Sequence, residues 1–242
     1  MPEIRGLIAA AGKGSRAGLT YPKTLFPVQG KPILIRILEL FAPFDERPTV
    51  IVSPSGLSEV DQCLRNSLRT AHLVVQDEPK GMGNAVLRFI DSPAFSEAEH
   101  LLLIWGDIPF IQAGTLQALV QAHLAHRNDF TLATRWVDSP YTLVLRDSSQ
   151  AVQEVQETRE LGLERPSKGE RDIGLFIFRK APVLSLLQKE LPGKYGHSTN
   201  EHGFLYIIRH LVSEGLKVEG LPIATELDLV SLNALQDLKG YL

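Results

Sequence analysis

The sequence of 242 residues has a single cysteine, Cys63, and no apolar run long enough to cross a membrane. One cysteine forms neither an internal disulfide nor a thiol-clustered zinc site, and such usage is typical of a reducing compartment. A membrane helix needs about 18 consecutive apolar residues, whereas the longest obvious run here is Leu101–Trp105. The N-terminal segment does not have the pattern of a secretory signal peptide. We therefore expect a cytoplasmic protein with no membrane partner.

An excess of basic residues is also absent, because 25 lysines and arginines face 28 aspartates and glutamates for a net charge of −3. Without a basic surface to neutralise phosphates, we expect no nucleic-acid partner. At about 150 residues per domain the length allows one or two domains, and α/β sheets often reach about 250 residues as one unit. A chain of this size buries a core without disulfides or structural metals.

Short apolar runs alternate with longer amphipathic ones, as in a mostly parallel sheet covered by helices. The pattern predicts strands at Ile4–Ala9, Thr49–Ser53, Leu73–Gln76, Leu101–Trp105, Thr131–Arg135, Thr142–Arg146, Gln153–Gln156, Ile173–Phe178 and Val218–Leu221. It predicts helices at Pro32–Phe41, Ser58–Leu68, Gly83–Asp91, Gly114–Arg127, Ala181–Glu190, Gly203–Glu214 and Leu229–Leu238. We expect the α/β class: a single Rossmann-like domain with a mixed, mostly parallel sheet, helices on both faces and a partly antiparallel extension in its second half.

The segment from residue 7 to residue 34, LIAAAGKGSRAGLTYPKTLFPVQGKPIL, begins in the first predicted strand. Small side chains at Ala10 and Ala11 are followed by three glycines and three cations: Gly12, Gly14, Gly18, Lys13, Arg16 and Lys23. Without Cβ atoms a backbone can wrap around a phosphate and direct N–H groups at it, while cations neutralise the charge. The segment therefore predicts a nucleotide-phosphate loop.

Three other interpretations of this loop compete with that one. The spacing Gly12-x-Gly14-x-x-Ala17 fits the dinucleotide fingerprint of NAD enzymes, but no acidic residue ends the second predicted strand, as that fingerprint requires. A P-loop needs Gly-Lys-Ser/Thr, whereas Gly12-Lys13 is followed by glycine. A glycine-rich turn without a ligand stays open, although it leaves the three cations unexplained.

Asp107 stands at the end of a buried strand in LLLIWGDIPFI. The carboxyl edge of an α/β sheet is where ligands bind, and carboxylate oxygens suit a Mg²⁺ ion that also holds substrate phosphates. Aspartate also caps turns often, so from the residues alone both interpretations of Asp107 stay open.

The run Leu7–Lys23, with the motif PKTLFPVQGKPIL, resembles the signature loop of the sugar nucleotidyltransferases. Within that family the chain is most similar to the N-terminal uridylyltransferase domain of the bacterial N-acetylglucosamine-1-phosphate uridylyltransferases. The resemblance implies catalytic phosphate contacts from Arg16 and Lys23. It implies that the nucleotide lies against Ala10, Ala11, Gly12, Lys13 and Gly14.

The resemblance also implies Mg²⁺ as the cofactor. Asp107 matches the family's Gly-Asp-x-Pro metal motif, and Asp228 in ATELDLVSLNAL resembles the second metal ligand. The alternative for Asp228 is the N-cap of the helix predicted at Leu229–Leu238. His123 and His126 are spaced i, i+3 without a third ligand, so we expect surface histidines rather than a zinc site.

The base is expected against VVQDEPKGMGNAVL. The Gln76 amide offers a donor and an acceptor to the edge of a pyrimidine, and the resemblance places Gly81 and Met82 beside the base. The alternative for the glycines is a helix N-cap loop. Met82 stands where the uridylyltransferases usually carry threonine.

Residues 1–242 are expected to form one nucleotidyltransferase domain, with a nucleotide-binding half (1–111) and, where the βα rhythm breaks, an acceptor-binding half (112–242). Glu157 matches a glutamate that binds sugar hydroxyls, and Asp172 matches a position that is normally asparagine.

These expectations describe a Mg²⁺-dependent nucleotidyltransferase of the pyrophosphorylase type. Its partners are a nucleoside triphosphate, with UTP expected, and a phosphorylated small-molecule acceptor, with a sugar 1-phosphate expected. Met82 and the altered acceptor side leave open a cytidylyltransferase for a polyol, choline or phosphonate. Substitutions on the acceptor side also leave open a non-catalytic nucleotide-binding regulatory module.

Overall fold

Strands of the computed structural model carry consecutive buried residues, as strands do when both faces of a sheet are covered. In Ile4–Ala9 the neighbours Leu7 and Ile8 are both fully buried, and all four residues of Thr49–Val52 are buried. The structure describes residues 3–12, 14, 18–160, 162 and 164–241.

The chain divides into two compact units. The first unit contains the chain up to Pro79, Arg88–Ala113 and the part from Glu226 onwards. The second unit contains Lys80–Leu87 and Gly114–Thr225. That residues 1–242 act as one nucleotidyltransferase domain stays a prediction.

The first unit is built on a parallel sheet with the strand order β6-β1-β4-β5. Its elements are β1 (Ile4–Ala9), β2 (Pro27–Val28), β3 (Lys31–Pro32), α1 (Ile33–Phe41), β4 (Thr49–Val52), α2 (Leu57–Asn66), β5 (His72–Val75) and β6 (His100–Trp105). The helix α1 follows Pro32, whose fixed φ suits a helix start, and buries six apolar side chains on one side. On its other side Arg36 donates to the carbonyl of Val28 at 2.7 Å.

The second unit combines parallel and antiparallel pairing. Its elements are α3 (Met82–Leu87), α4 (Ala113–His126), β7 (Phe130–Asp138), β8 (Thr142–Arg146), β9 (Val152–Glu157), β10 (Lys168–Arg179), α5 (Lys180–Gln188), α6 (Ile207–Ser213) and β11 (Val218–Leu221). The strand β7 pairs in parallel with β11 and antiparallel with β10, while β8 and β9 form a separate antiparallel pair.

Aromatic rings fill the core of the second unit. Phe130, Phe176, Phe178 and Phe204 are all buried, and their neighbouring ring centroids lie 5.4–6.0 Å apart. Such tilted and stacked ring pairs stabilise the core beyond the contribution of the apolar area that they bury. The cluster fixes Phe204, and thereby the segment that leads into α6, on the sheet.

The structure confirms the mixed, mostly parallel α/β class and the order of strands and helices as far as α6. The helix predicted at Leu229–Leu238 is wrong: this segment forms only 3₁₀ turns at Leu227–Leu229 and Leu235–Leu238. The backbone groups find partners outside an α-helix, because Leu232 N–H donates to the carbonyl of Asp107 and Asn233 N–H to the Asp237 carboxylate.

The expectation for the two histidines is half right. His126 is exposed and lies 2.8 Å from Glu219, but His123 is fully buried and its Nδ1 lies 2.8 Å from the Thr131 hydroxyl. The side of α4 that packs on β7 therefore includes a histidine, which a hydrogen bond makes compatible with burial.

The longest helix in the described part of the chain is α4 with 14 residues. None of the described helices combines the length and the apolar character that spanning a membrane requires.

A buried ion pair joins β8 to β10 in the second unit. The Arg146 guanidinium donates from Nε and Nη2 to the two carboxylate oxygens of Glu170, both at 2.7 Å, and Nη2 also donates to the carbonyl of Gly220 at 2.8 Å. Glu170 is only 3% exposed and also accepts from the Thr134 hydroxyl. The carboxylate therefore depends on Arg146 for charge compensation.

We predict that Arg146→Met lowers the free energy of unfolding by about 3 kcal/mol, because it leaves Glu170 buried without its cation. Urea denaturation at pH 7 measures the loss. The double variant Arg146→Met/Glu170→Met removes both charges and should be more stable than the single variant. A double variant at least as destabilised as Arg146→Met would contradict this account.

Candidate active site

The residues that follow β1, β4, β5 and β6 share one edge of the parallel sheet. The N–H groups of Ala10 and Gln76 both donate to carbonyls of β4, and that of Gly106 donates to the end of β1, at 2.8–2.9 Å. Parallel strands place their carboxyl ends at the same edge, where α/β sheets bind ligands. Asp107 directly follows Gly106 and so lies at this edge.

Small residues are required where β1 and β6 end. A Cβ at Gly106 would lie 2.9 Å from the Cβ of Ala10, so the buried Ala10 side chain packs against the glycine. Gly12 is exposed, and a Cβ there would meet no atom within 4 Å. Ala10 therefore has a packing role in addition to any ligand contact, whereas the backbone at Gly12 is open to a ligand.

The stem of Lys23 lies against Gly14. This glycine has φ +68°, and a Cβ there would lie 3.3 Å from Cγ of Lys23 and 3.0 Å from the carbonyl oxygen of Tyr21. Glycine satisfies both the left-handed backbone and the close approach. Lys13 and Arg16, the other predicted phosphate-binding cations, lie outside the described residues.

Lys23 and Asp107 face each other across the loop. Nζ of Lys23 lies 3.5 Å from Oδ2 of Asp107, and the two side chains are 16% and 25% exposed. Burial raises the pKa of the Asp107 carboxyl, and Lys23 counteracts part of that rise. A tight ammonium–carboxylate bond measures about 2.7–2.9 Å, so this looser pair leaves both groups able to bind a ligand.

A cavity of about 180 Å³ opens beside the loop in the first unit. Its lining includes Ala11 and Gln76, two of the residues predicted to bind the nucleotide, together with Ser53, Ser55 and Asp77. It is smaller than the roughly 300–1,000 Å³ of pockets for whole ligands, so it suits one part of a nucleotide. The sequence prediction missed Ser53 and Asp77, although both lie at the carboxyl ends of strands.

Asp228 is fully buried in the first unit. Its Oδ1 accepts a hydrogen bond of 2.6 Å from the backbone N–H of Gln112. Asp228 lies inside the 3₁₀ turn Leu227–Leu229, and no α-helix follows, so the N-cap alternative is wrong. The same segment reaches the Asp107 loop, because the N–H of Leu232 donates to the carbonyl of Asp107 at 2.9 Å.

The donor chemistry here fits a hard divalent cation. Asp107 presents a partly exposed carboxylate with a loose partner, and Asp228 adds a second carboxylate on the adjoining segment. Within the described residues no three His, Cys, Asp or Glu side chains gather into one metal-binding group. One or two carboxylates from the protein are enough for Mg²⁺, which keeps water and substrate phosphates as its other ligands.

Gly81 and Met82 belong to the second unit, where packing explains the glycine. Gly81 has φ +96°, and a Cβ there would lie 2.5 Å from the carbonyl oxygen of His202. A Cβ at the neighbouring Gly83 would lie 2.0 Å from the carbonyl oxygen of Gly203. These glycines let the start of α3 lie directly on the 202–203 segment, and the proposed contact of Gly81 and Met82 with a base stays a prediction.

Glu157 and Asp172, the predicted acceptor-binding residues, lie close enough to influence each other. Asp172 is 2% exposed, and its carboxylate accepts from the Thr142 hydroxyl at 2.6 Å and from the Gly174 N–H at 2.9 Å. Burial raises the pKa of Glu157 to about 7, and the negative charges of Asp172, Glu160 and Glu201 add to the rise. The Asp172 side chain is therefore satisfied by two hydrogen bonds, while Glu157, with a pKa of about 7, exchanges its proton near neutral pH.

Residues 6–172 of the chain match the MobA-like NTP transferase domain. The bifunctional protein GlmU of Carboxydothermus hydrogenoformans is 28% identical over 235 residues, which cover 95% of this chain and 50% of that protein. GlmU of Desulfitobacterium hafniense is 30% identical over 194 residues, which cover 79% and 42%. The chain thus spans about half the length of these curated relatives.

Two solved structures share the fold. A UDP-glucose pyrophosphorylase complexed with UDP-glucose has a TM-score of 0.71 at 16% identity, covering 100% of this chain and 98% of that one. A putative glucose-1-phosphate thymidylyltransferase from Bacillus anthracis, in complex with a sucrose, has a TM-score of 0.77 at 17% identity, covering 98% and 93%. At these identities the likeness establishes the fold alone.

The raised pKa of Glu157 predicts a pH-dependent contribution to stability. Its carboxyl has an ordinary pKa of 4.5 and a folded value of about 7, so the folded state binds the proton more tightly. The stabilisation is complete below about pH 4.5 and is lost as the pH rises through 7. Glu157→Gln cannot ionise, so it should gain about 3 kcal/mol relative to wild type between pH 4.5 and 8. Denaturant titrations measure this gain, and the exposed Glu164→Gln serves as a control; parallel pH curves for all three proteins would contradict the assignment.

Proposed function

Because this chain belongs to the MobA-like NTP transferase domain family, we propose that it couples a nucleoside triphosphate to a phosphorylated acceptor and releases pyrophosphate. We propose UTP as the triphosphate and a sugar 1-phosphate as the acceptor. The observation that carries the proposal is the loose Lys23–Asp107 pair at the ligand edge of the parallel sheet. The GlmU relatives support the same reaction class.

In the proposed reaction an oxygen of the acceptor phosphate attacks the α-phosphorus of the triphosphate. A new P–O bond forms there, while the bond between the α-phosphorus and the bridging oxygen breaks and pyrophosphate leaves with that electron pair. The attacking phosphate is already an anion at neutral pH, so no general base is needed. Catalysis then consists of positioning the two anions and neutralising their charge.

Lys23 is suited to the charge that develops on the α-phosphate. Its ammonium group lies at the end of a stem that contacts Gly14. Its contact with Asp107 is loose enough for the ammonium group to donate a hydrogen bond to a phosphate oxygen as well. The exposed backbone at Gly12 provides a surface for the other phosphates. Arg16 and Lys13 are proposed to bind the triphosphate on the strength of the sequence pattern.

Asp107 and Asp228 are the residues that we propose for Mg²⁺. A bound Mg²⁺ would neutralise negative charge on the reacting phosphates. The role of Asp107 itself is to present a carboxylate at the edge of the sheet beside Lys23. The role of Asp228 is to bring a second carboxylate from the segment that bonds to the Asp107 loop.

The acidic surroundings of Glu157 favour a second candidate, a cytidylyltransferase whose acceptor carries a positive charge, such as choline phosphate. The charges that act on Glu157 are all negative and come from Asp172, Glu160 and Glu201. A quaternary ammonium group would supply the missing cation, whereas sugar hydroxyls would meet a protonated Glu157 as a hydrogen-bond donor. The two candidates therefore use different protonation states of the same side chain.

A panel of triphosphates and acceptors tests the proposed function. UTP, CTP, dTTP and ATP are each combined with glucose 1-phosphate, N-acetylglucosamine 1-phosphate or choline phosphate in the presence of Mg²⁺, and pyrophosphate release is measured. We expect release with UTP and a sugar 1-phosphate, and its loss in Asp107→Asn, which keeps the shape of the side chain. Release with CTP and choline phosphate alone would favour the second candidate, and no release from any pair would contradict both.

Lys23→Ala should lower kcat about 10²- to 10³-fold, as the loss of one donor to a developing anion does elsewhere. Triphosphate affinity should fall much less, because a transition-state contact contributes little to the ground state. Single-turnover kinetics and calorimetric titration with UTP separate the two quantities. Equal losses in rate and affinity would reject a transition-state role, and Lys31→Ala on the neighbouring β3 provides a charge-matched control.

A further inference from the structure

The 3₁₀ turn Pro54–Gly56, which follows β4, contacts two parts of the candidate site. On one side Ser53, Pro54 and Ser55 line the cavity that also contains Ala11 and Gln76. On the other side Gly56 lies against the ring of Pro22, the residue that precedes Lys23. The turn is anchored at its start, because the Ser53 side chain accepts a hydrogen bond of 3.1 Å from the Gly56 N–H.

The backbone of Gly56 does not require glycine. Its φ of −93° and ψ of −9° are accessible to residues that carry a Cβ, so conformational freedom does not explain this position. Space does: a Cβ at Gly56 would lie 2.6 Å from Cγ of Pro22, and both residues are buried. The Pro22 ring thus packs directly against Gly56, and only a residue without a Cβ leaves room for it.

The packing of Pro22 against Gly56 determines the position of the Lys23 backbone. The ring fixes the Pro22 backbone at φ −56°, and the carbonyl of Pro22 accepts from the N–H of Leu25 at 2.9 Å, which opens the turn Lys23–Leu25. Gly14 contacts the lysine stem itself, since a Cβ there would lie 3.3 Å from its Cγ. The position of Lys23 therefore depends on Gly56 through the Pro22 ring and on Gly14 directly.

We propose that Gly56 is a positioning residue for the reaction. It places Lys23 because the Pro22 ring packs against it, on the turn that lines the nucleotide cavity. This inference rests on the proposed role of Lys23. Gly56 touches no reacting atom, and its effect passes through the Pro22 ring and the backbone of Lys23. A displacement of about 1 Å in such a group can lower a rate by about 10²-fold.

The first test is the kinetics of Gly56→Ala with UTP and the acceptor found active in the panel. The added methyl group displaces Pro22, so we expect kcat to fall about 10- to 100-fold. KM for UTP should change by less than about threefold and the melting temperature by only a few degrees. Gly114→Ala is the matched control, since a Cβ at Gly114 would meet no atom within 4 Å.

The second test is rescue by making space. Pro22→Ala removes the ring atoms that the new methyl group would strike, so in this background Gly56→Ala should lower kcat by less than about threefold. Pro22→Ala alone should lower kcat about three- to tenfold, because the packing of the proline ring against Gly56 is then lost. This non-additivity is what two residues in direct contact produce.

The outcomes separate this inference from the proposed function. If Lys23→Ala keeps wild-type kcat, the role of Lys23 fails and the inference fails with it. If Lys23→Ala is impaired while Gly56→Ala retains kcat within about threefold, only the inference is overturned. The same holds if Lys23→Ala is impaired and the fold-reductions in kcat caused by Pro22→Ala and Gly56→Ala multiply in the double variant. Should Gly56→Ala not fold, Pro22→Ala decides alone, and an unchanged kcat overturns the inference.

Discussion

The contact between Lys23 and Asp107 is the constraint from which the rest of the site follows. An ammonium group and a carboxylate lie 3.5 Å apart at the end of a buried strand, near enough to compensate each other and too far apart to form a tight bond. Burial raises the pKa of Asp107, so this carboxylate favours an additional cation nearby. A reaction between two phosphate anions needs such a place, where a positive charge is already in position.

Several small residues serve this contact without touching a ligand. Gly106 and Ala10 let the ends of β6 and β1 approach closely, Gly14 accepts the lysine stem, and Gly56 accepts Pro22. In the second unit, Gly81 and Gly83 let α3 lie directly on the 202–203 segment. A glycine near a binding loop is therefore no sign of a ligand by itself, and the neighbouring atoms decide which role it has.

Local patterns in the sequence predicted most of the fold. The strands β1, β8 and β11 form at the predicted residues, because alternation and buried runs depend on near neighbours in the chain. The placement of Asp107 followed from a simple rule about parallel strands. By contrast, the helix predicted at Leu229–Leu238 failed because hydrogen bonds to Asp107 and Asp237 replace those of a helix. The burial of His123 depends on the packing of α4 on β7, and Asp172 and Glu201 approach Glu157 from other segments of the chain, so no local pattern reveals either feature.

The central claim is that a triphosphate binds at the edge of the sheet with its α-phosphate beside Lys23 and Asp107. A crystal structure of the protein with UTP and Mg²⁺ tests it most directly. The account predicts that the α-phosphate lies within hydrogen-bond distance of Nζ of Lys23 and that a carboxylate oxygen of Asp107 coordinates the metal ion. A triphosphate bound away from both residues would contradict it.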